Sequence, residues 1–533
     1  MQGLMSSYPL TLPHLFHRAE RLFGDKTMTT LTATGKERTS YAEWAQRTRR
    51  LAGALDALEI SDDGRVATFA WNTARHLELY FAAPCSGRVL HTLNIRLFPD
   101  QLSYIVDHAE DEVIFVDRSL VKALWPLVDG FKTVRHIVVM DDGAGEVPDD
   151  DRIRDYEELI VAAEPADFAV DDENRAAAMC YTSGTTGHPK GVVYTHRSSV
   201  LHSLGAMLAD TVAVSERDVV LPVVPMFHAN AWGLAHAGVM AGSAFAFPGP
   251  QMTPAAIAEL IESERVTLAA GVPTIWNAAL DELAKRDTSS LRDILCGGSA
   301  VPRALSEAYR EKLGRPILHA WGMTETSPLG SVCRIKSTLA GRPEDELAGI
   351  RSTQGIISPL LECRIVEPGT DDELPWDGAA RGELQVAGPW VAAGYYNDER
   401  GSDSFTDDGW LRTGDVATIS PEGYIHLVDR TKDLVKSGGE WISSVELENE
   451  IMAHPHVREA AVIGVPDDKW GERPLACVVA EDGADLSADA LRDFLSDRVA
   501  KWWVPERVEF IEEIPKTSVG KFSKKTLRER FTA

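Results

Sequence analysis

Apolar residues recur along this chain with two periods. Leu15, Phe16, Ala19, Leu22 and Phe23 follow helical spacing, which predicts a helix over residues 13–23 that stops at Gly24. Thr253 and Pro254 open a second predicted helix, 255–264, with proline at the first helical position. Between such segments lie short apolar runs, 65–71, 112–116, 136–139, 219–224 and 294–295, which read as strands buried on both faces. Helices between buried strands predict an α/β architecture with parallel sheets. Residues 382–387 and 423–428 have instead the look of an antiparallel or barrel-like part. Ser443 to Glu446 reads as a capping box before a helix over 447–452. A strand at 460–465, a helix at 488–500 and a strand at 508–511 follow. This β/α tail predicts a small separate domain, with the charged segment 429–433 as the junction.

The length of 533 residues exceeds what one compact core holds, so two or more domains are expected. A net charge of −27 argues against nucleic acid as a partner, because a phosphate backbone requires a basic face. Six scattered cysteines form no CxxC and no metal-ligand spacing, which fits a reduced, cytoplasmic compartment. No signal peptide and no run of 18 apolar residues is visible, so no membrane span is expected.

The run Tyr181-Thr182-Ser183-Gly184-Thr185-Thr186-Gly187-His188-Pro189-Lys190-Gly191 follows an apolar segment. Its glycines permit tight turns, and its N–H groups, hydroxyls and one ammonium make a cradle for phosphate oxygens. The plain alternative is a polar surface loop. Pro189 before Lys190 and Gly191 after it do not match a Walker A loop, so a P-loop NTPase is disfavoured.

The run resembles the phosphate loop of the adenylate-forming enzymes. Further matches follow in the same order: Pro225-Met226-Phe227-His228-Ala229-Asn230-Ala231-Trp232-Gly233, Cys296-Gly297-Gly298-Ser299-Ala300 and His319-Ala320-Trp321-Gly322-Met323-Thr324-Glu325-Thr326. Gly409 to Asp415, Asp429 to Asp433 and Pro515 to Lys521 complete the series. The resemblance spans essentially the whole chain and is that of a free-standing acyl-CoA synthetase. Residues 92–101 and 105–111 resemble the medium-chain acyl-CoA synthetases, a subgroup with 3-methylmercaptopropionyl-CoA ligases of dimethylsulfoniopropionate catabolism.

The resemblance implies a reaction in two halves. A carboxylate attacks the α-phosphorus of ATP and expels pyrophosphate; the CoA thiol then attacks the acyl-adenylate and expels AMP. It implies a large N-terminal domain of parallel-rich sheets and a barrel-like part, residues 1–431, and a small mobile α+β C-terminal domain, residues 432–533. Thr182, Ser183, Gly184, Thr185, Thr186 and Lys190 would clamp the β- and γ-phosphates. Glu325 would hold Mg²⁺, a hard cation that wants carboxylate oxygen, and Thr324 would donate to the α-phosphate. Trp321 and Gly322 would face adenine, with Gly298, Ser299 and Ala300 along its edge; the plain reading of Trp321 is a core aromatic. Asp415 would accept from the ribose hydroxyls, or cap a turn after Gly414. Arg430 would touch the ribose or phosphates.

By the same resemblance Lys521 is the adenylation lysine, whereas Lys516, Lys524 and Lys525 read as solvated tail lysines. His228 lies at the acyl site, as base or gate. Were its stretch helical, Trp232 would share its face and shorten a pocket shared with Gly298, Gly322 and Met323. Lys432 is the hinge candidate, turning the small domain so that Gly438 and Gly439 make room for the pantetheine arm in the CoA half-reaction. A homodimer is implied by relatives. Two other readings stand: an adenylating enzyme with a different acceptor, and a non-catalytic acyl-nucleotide binder.

Overall fold

The computed structural model describes residues 1–182, 188–438, 440–516 and 522–532. By compactness the chain divides into two units. One comprises Met1–Thr182, Pro189–Leu361 and Ala387–Asp403; the other is built chiefly from Glu362–Val386 and Ser404–Ala533. The compact division thus begins before the functional boundary expected at 431/432.

The first unit holds two sheets. The nine-stranded sheet has six parallel strands in the spatial order Leu318–Gly322, Asp293–Cys296, Leu268–Gly271, Val219–Pro222, Ala244–Phe247 and Thr27–Thr32. Antiparallel strands close both edges. The seven-stranded sheet is parallel from Ile153–Asp155 through Ala176–Tyr181, and the antiparallel strand Gly191–Thr195 lies at its edge. The five runs predicted as strands buried on both faces all lie in these two sheets, where helices cover both faces.

Three apolar layers follow. Leu15, Leu51, Leu77 and Leu234 of the central helices pack with Phe115 and Val113 of one sheet and Val220 and Phe245 of the other. Ile257, Trp276 and Leu305 cover the outer face of the nine-stranded sheet at Leu221, Ala269 and Ile294. Leu102 and Ile105 cover the outer face of the seven-stranded sheet at Ile114 and Val116. Helix ends follow their local chemistry: Pro254–Ser263 starts with proline at the first position and is capped by Thr253, whose hydroxyl accepts from Ala256 N–H at 3.3 Å.

The second unit has a four-stranded sheet, Glu362–Val366, Gly382–Ala387, Leu411–Ile419 and Ile425–Arg430, where the barrel-like part was expected; its last three strands are antiparallel. A five-stranded sheet follows, in which Arg507–Phe510 runs parallel to Gly471–Ala480. Helix Ser444–Met452 carries half of the expected capping box: Ser443 Oγ accepts from Glu446 N–H at 3.0 Å and donates to the Val428 carbonyl at 2.6 Å. The helix expected to reach 500 spans Ala488–Ser496. No helix among the described residues is long and apolar enough to cross a membrane.

Candidate active site

Four neighbouring parallel strands of the nine-stranded sheet deliver the motif residues at their carboxyl ends, where open α/β sheets bind ligands. Val219–Pro222 leads to His228, Leu268–Gly271 to Val272, Asp293–Cys296 to Gly297 and Gly298, and Leu318–Gly322 to Met323, Thr324 and Glu325. Two glycines permit the close backbone packing between these ends. A Cβ on Gly322 would lie 1.7 Å from the Pro328 carbonyl oxygen, and one on Gly297 would lie 2.6 Å from that of Ala320. Ser299 and Ala300 are exposed beyond Gly298, free to pass along a ligand. Trp321 is 8% exposed, with Gly330 against its ring.

The loop expected to bind phosphate joins Ala176–Tyr181 to Gly191–Thr195, an antiparallel pair. Its neck is pinched: Thr182 N–H donates to the Lys190 carbonyl at 2.9 Å, and Lys190 N–H donates to Thr182 Oγ1 at 3.1 Å. Ser183, Gly184, Thr185 and Thr186 lie outside the described residues. The Lys190 ammonium stands 4.4 Å over the Tyr395 ring. The Tyr395 hydroxyl in turn donates to Glu325 Oε1 at 2.7 Å. So one aromatic, which the motif reading missed, links the loop lysine to the expected metal carboxylate.

Glu325 is 7% exposed, and its main chain is tied down on both sides. Ala392 N–H donates to the Glu325 carbonyl at 2.7 Å, and the Tyr194 hydroxyl donates to the Thr324 carbonyl at 2.7 Å. Burial pushes the Tyr194 phenol well above its ordinary range, so it remains a donor. Glu325 Oε2 takes no protein hydrogen bond among the described residues. No cluster of three or more His, Cys, Asp or Glu stands ready for a metal among the described residues. One half-free carboxylate matches a magnesium site completed by phosphate oxygens and water.

The acyl side corrects the sequence reading. Residues 229–232 do not form a right-handed helical turn. Ala229, Asn230, Ala231 and Trp232 have φ of 43°, 54°, 53° and 56°, and Gly233 continues at 73°. His228 and Trp232 therefore do not share a helix face. Each left-handed non-glycine residue costs about 1 kcal/mol or more, so the neighbourhood must hold the turn. Asn72 does part of this, donating to the Pro222 and Val224 carbonyls at 2.7 and 2.8 Å and accepting from Met226 N–H at 2.7 Å. The Tyr80 hydroxyl donates to the Met226 carbonyl. Cys180 Sγ lies 3.4 Å from Asn230 Oδ1 and 3.3 Å from Thr92 Oγ1. Below Gly233 sits His202, whose Nε2 accepts from Leu329 N–H at 3.1 Å. Burial holds the His202 ring neutral, with a pKa near 3.

This turn delivers the Trp232 indole to the glycine pair. A Cβ on Gly298 would meet Trp232 Cζ2 at 3.6 Å and Val272 Cγ1 at 3.4 Å, and one on Gly297 would meet Trp232 Cη2 at 3.7 Å. Trp232 thus lies beside Gly297 and Gly298, reached by a backbone path other than the expected helix.

In the second unit, Asp415 and Arg430 are opposite residues of one antiparallel pair. Arg430 Nε lies 3.2 Å from Asp415 Oδ1, and Asp415 is 4% exposed. Gly438, at φ 63°, donates to the Trp470 carbonyl at 2.7 Å, and a Cβ on it would meet the Trp470 ring at 2.7 Å. Lys432 is exposed and gives its carbonyl to Arg528 at 3.1 Å. Gly439 and Lys521 lie outside the described residues. Lys524 is not a solvated tail lysine: its side chain is 10% exposed, with Nζ 2.7 Å from Glu448 Oε1 and 2.5 Å from Ser444 Oγ.

This geometry agrees with the comparisons with known proteins. A family model described as AMP-binding enzyme matches residues 16–396, and one described as AMP-binding enzyme C-terminal domain matches 446–521. The chain belongs to the AMP-binding enzyme family and is an ATP-dependent acyl-CoA ligase. It is 46% identical to a long-chain-fatty-acid–CoA ligase of Thermus thermophilus, over 99% of this chain and 96% of that one. It is 43% identical to a 3-methylmercaptopropionyl-CoA ligase of Ruegeria lacuscaerulensis, over 100% of this chain and 99% of that one. Among solved structures it resembles ATP-bound MatB from Rhodopseudomonas palustris, with a TM-score of 0.83, 29% identity, and coverage of 98% and 99% of the two chains.

Proposed function

We propose that the chain activates a short- or medium-chain carboxylic acid, with 3-methylmercaptopropionate as the lead candidate. The observation that carries this reading is the Trp232 indole beside Gly297 and Gly298; in this reading it shortens the acyl pocket. The relatives of similar identity are named for different acids, so pocket shape and not overall likeness guides the choice. The flexible thioether side of Met323 suits a sulfur-containing acid.

In this proposal Thr182 to Lys190 grips the departing pyrophosphate, and Thr324 donates to the α-phosphate. Lys521 bridges the carboxylate and the α-phosphate as charge develops there. Mg²⁺ on Glu325 would neutralise phosphate charge, while Tyr395 fixes the carboxylate that holds it. Trp321, Gly322 and residues 298–300 frame adenine, Asp415 with Arg430 takes the ribose, and His228 guards the carboxylate entry. Lys432 turns residues 432–533 between the two half-reactions, and Gly438 with Gly439 admits pantetheine. We place the protein in the cytoplasm as a homodimer; the six free cysteines, five of them buried, fit a reducing compartment.

The test is pyrophosphate release with ATP, Mg²⁺ and a panel of short, branched, thioether, aromatic and long-chain acids, followed by acyl-CoA analysis. Highest kcat/KM for the short thioether or medium-chain acids is expected. Preference for long-chain acids would reject the acid assignment, and release without acyl-CoA would point to another acceptor.

A further inference from the structure

The hinge segment is tied to the C-terminal helix by a buried polar chain that the two half-reactions described above leave without a role. Asp429 ends the buried part of strand Ile425–Arg430 and is 5% exposed. Its Oδ2 accepts from Ser444 N–H and from Ser444 Oγ, both at 2.6 Å. The same hydroxyl accepts from Lys524 Nζ, so it relays between cation and carboxylate. Lys524 also pairs with Glu448, whose Oε1 accepts from Val462 N–H at 2.7 Å. One helical turn further on, Arg528 pairs with Asp433 and donates to the Lys432 carbonyl. Lys524 and Arg528, four residues apart, lie on one face of Lys524–Phe531.

Chain position gives these contacts their meaning. Asp429 precedes Lys432, whereas Ser444, Glu448, Lys524 and Arg528 follow it. A large backbone rotation at Lys432 leaves the pairs Lys524–Glu448 and Arg528–Asp433 intact, because both partners move together. It must break the bonds from Asp429 to Ser444, because the partners lie on opposite sides of the pivot. Buried charged hydrogen bonds of this kind are worth roughly 1.5–3 kcal/mol each, enough to bias an equilibrium between two orientations by tenfold or more. The helix anchored by Lys524 also begins three residues after Lys521.

We propose that Asp429 is a positioning residue: with Ser444 and Lys524 it forms a latch that stabilises one of the two orientations about Lys432 and so sets the balance between adenylation and thioester formation. The proposal rests on the reading of Lys432 as the pivot.

The test measures the two half-reactions separately in the full-length enzyme: pyrophosphate release in a single turnover with acid and ATP, and acyl-CoA formation from preformed acyl-adenylate and CoA. In Asp429→Asn the two rate constants should move in opposite directions, changing their ratio by about tenfold, as expected for one charged hydrogen bond. Ser444→Ala, which keeps Lys524 paired with Glu448, should shift the ratio the same way by a smaller factor, and it carries the test should Asp429→Asn fail to fold. Equal loss of both half-reactions, or an unchanged ratio, overturns the latch. Lys432→Pro run beside them separates the two ideas. Selective loss in Lys432→Pro with an unchanged ratio in the latch variants rejects the latch alone; equal loss of both half-reactions in Lys432→Pro rejects the pivot.

Discussion

Tyr395 donates its hydroxyl to Glu325 Oε1 at 2.7 Å, while its ring carries the Lys190 ammonium at 4.4 Å. Lys190 and Glu325, proposed for phosphate and for metal, are therefore spaced by one rigid ring and do not neutralise each other. Tyr395→Phe keeps the ring and removes the donor. Adenylation is expected to fall about tenfold, the worth of a hydrogen bond to a charged acceptor, and half-saturation by Mg²⁺ to rise. A Mg²⁺ titration of pyrophosphate release checks both, and an unchanged titration would refute the role.

Lys521→Ala should abolish most acyl-adenylate formation, while preformed acyl-adenylate still reacts with CoA. Lys432→Pro should do the reverse, keeping adenylation and losing transfer. Single-turnover measurement of each half-reaction decides, and survival of adenylation in Lys521→Ala would remove that lysine from the mechanism.

Trp232→Ala opens the space beside Gly297 and Gly298. The ratio of kcat/KM for an eight-carbon acid over a four-carbon acid should rise about tenfold, in line with one or two added methylenes of burial at ~0.8 kcal/mol each. A ratio that does not move would place the acyl chain elsewhere.

Gly233→Ala would put a methyl 2.1 Å from His202 Cε1 at a residue with φ of 73°. Left-handed strain and a clash with a buried ring add, so unfolding free energy should drop by more than about 2 kcal/mol. Denaturant titration reads this directly, and a wild-type midpoint would contradict the packing described.

Acid sensitivity follows from four buried imidazoles. Burial lowers His76, His196 and His236 to about 4 and His202 to about 3. Each stays neutral in the folded state while the unfolded chain takes up a proton near its ordinary pKa of ~6.5. Their contribution is full above that pH and is lost as pH falls toward 3–4. Asp117, raised to about 8 by burial, has the opposite sign, as do the Glu78, Asp111, Glu383, Asp429 and Glu448 carboxyls that burial also raises. Thermal unfolding midpoints should fall from pH 7 to pH 5 where the imidazoles dominate, and a rising profile would show that the buried carboxyls outweigh them.

The strands predicted from sequence were readable because each is a short apolar run bounded by turn residues. The motif glycines were readable because close backbone approach leaves few alternatives. The turn at 229–232 was not: in Ala-Asn-Ala-Trp only the asparagine leans locally toward positive φ, and the surrounding contacts of Asn72, Tyr80 and Cys180 hold the rest. Tyr395 stands in an irregular segment with no period to mark which partner it meets. Lys524 looks like a solvent lysine in sequence because its acceptor Ser444 is 80 residues away. Long-range pairing decides such cases, and a linear pattern carries no record of it.

The left-handed turn has an evolutionary consequence. Its four residues belong to no ladder and no regular helix, yet they carry the indole to which the proposed function gives the depth of the acyl pocket. Side-chain replacement at Trp232 therefore breaks no sheet bond. Under the proposed function, a lineage drifts from one acid to another at this position while the phosphate-binding segments stay under separate selection.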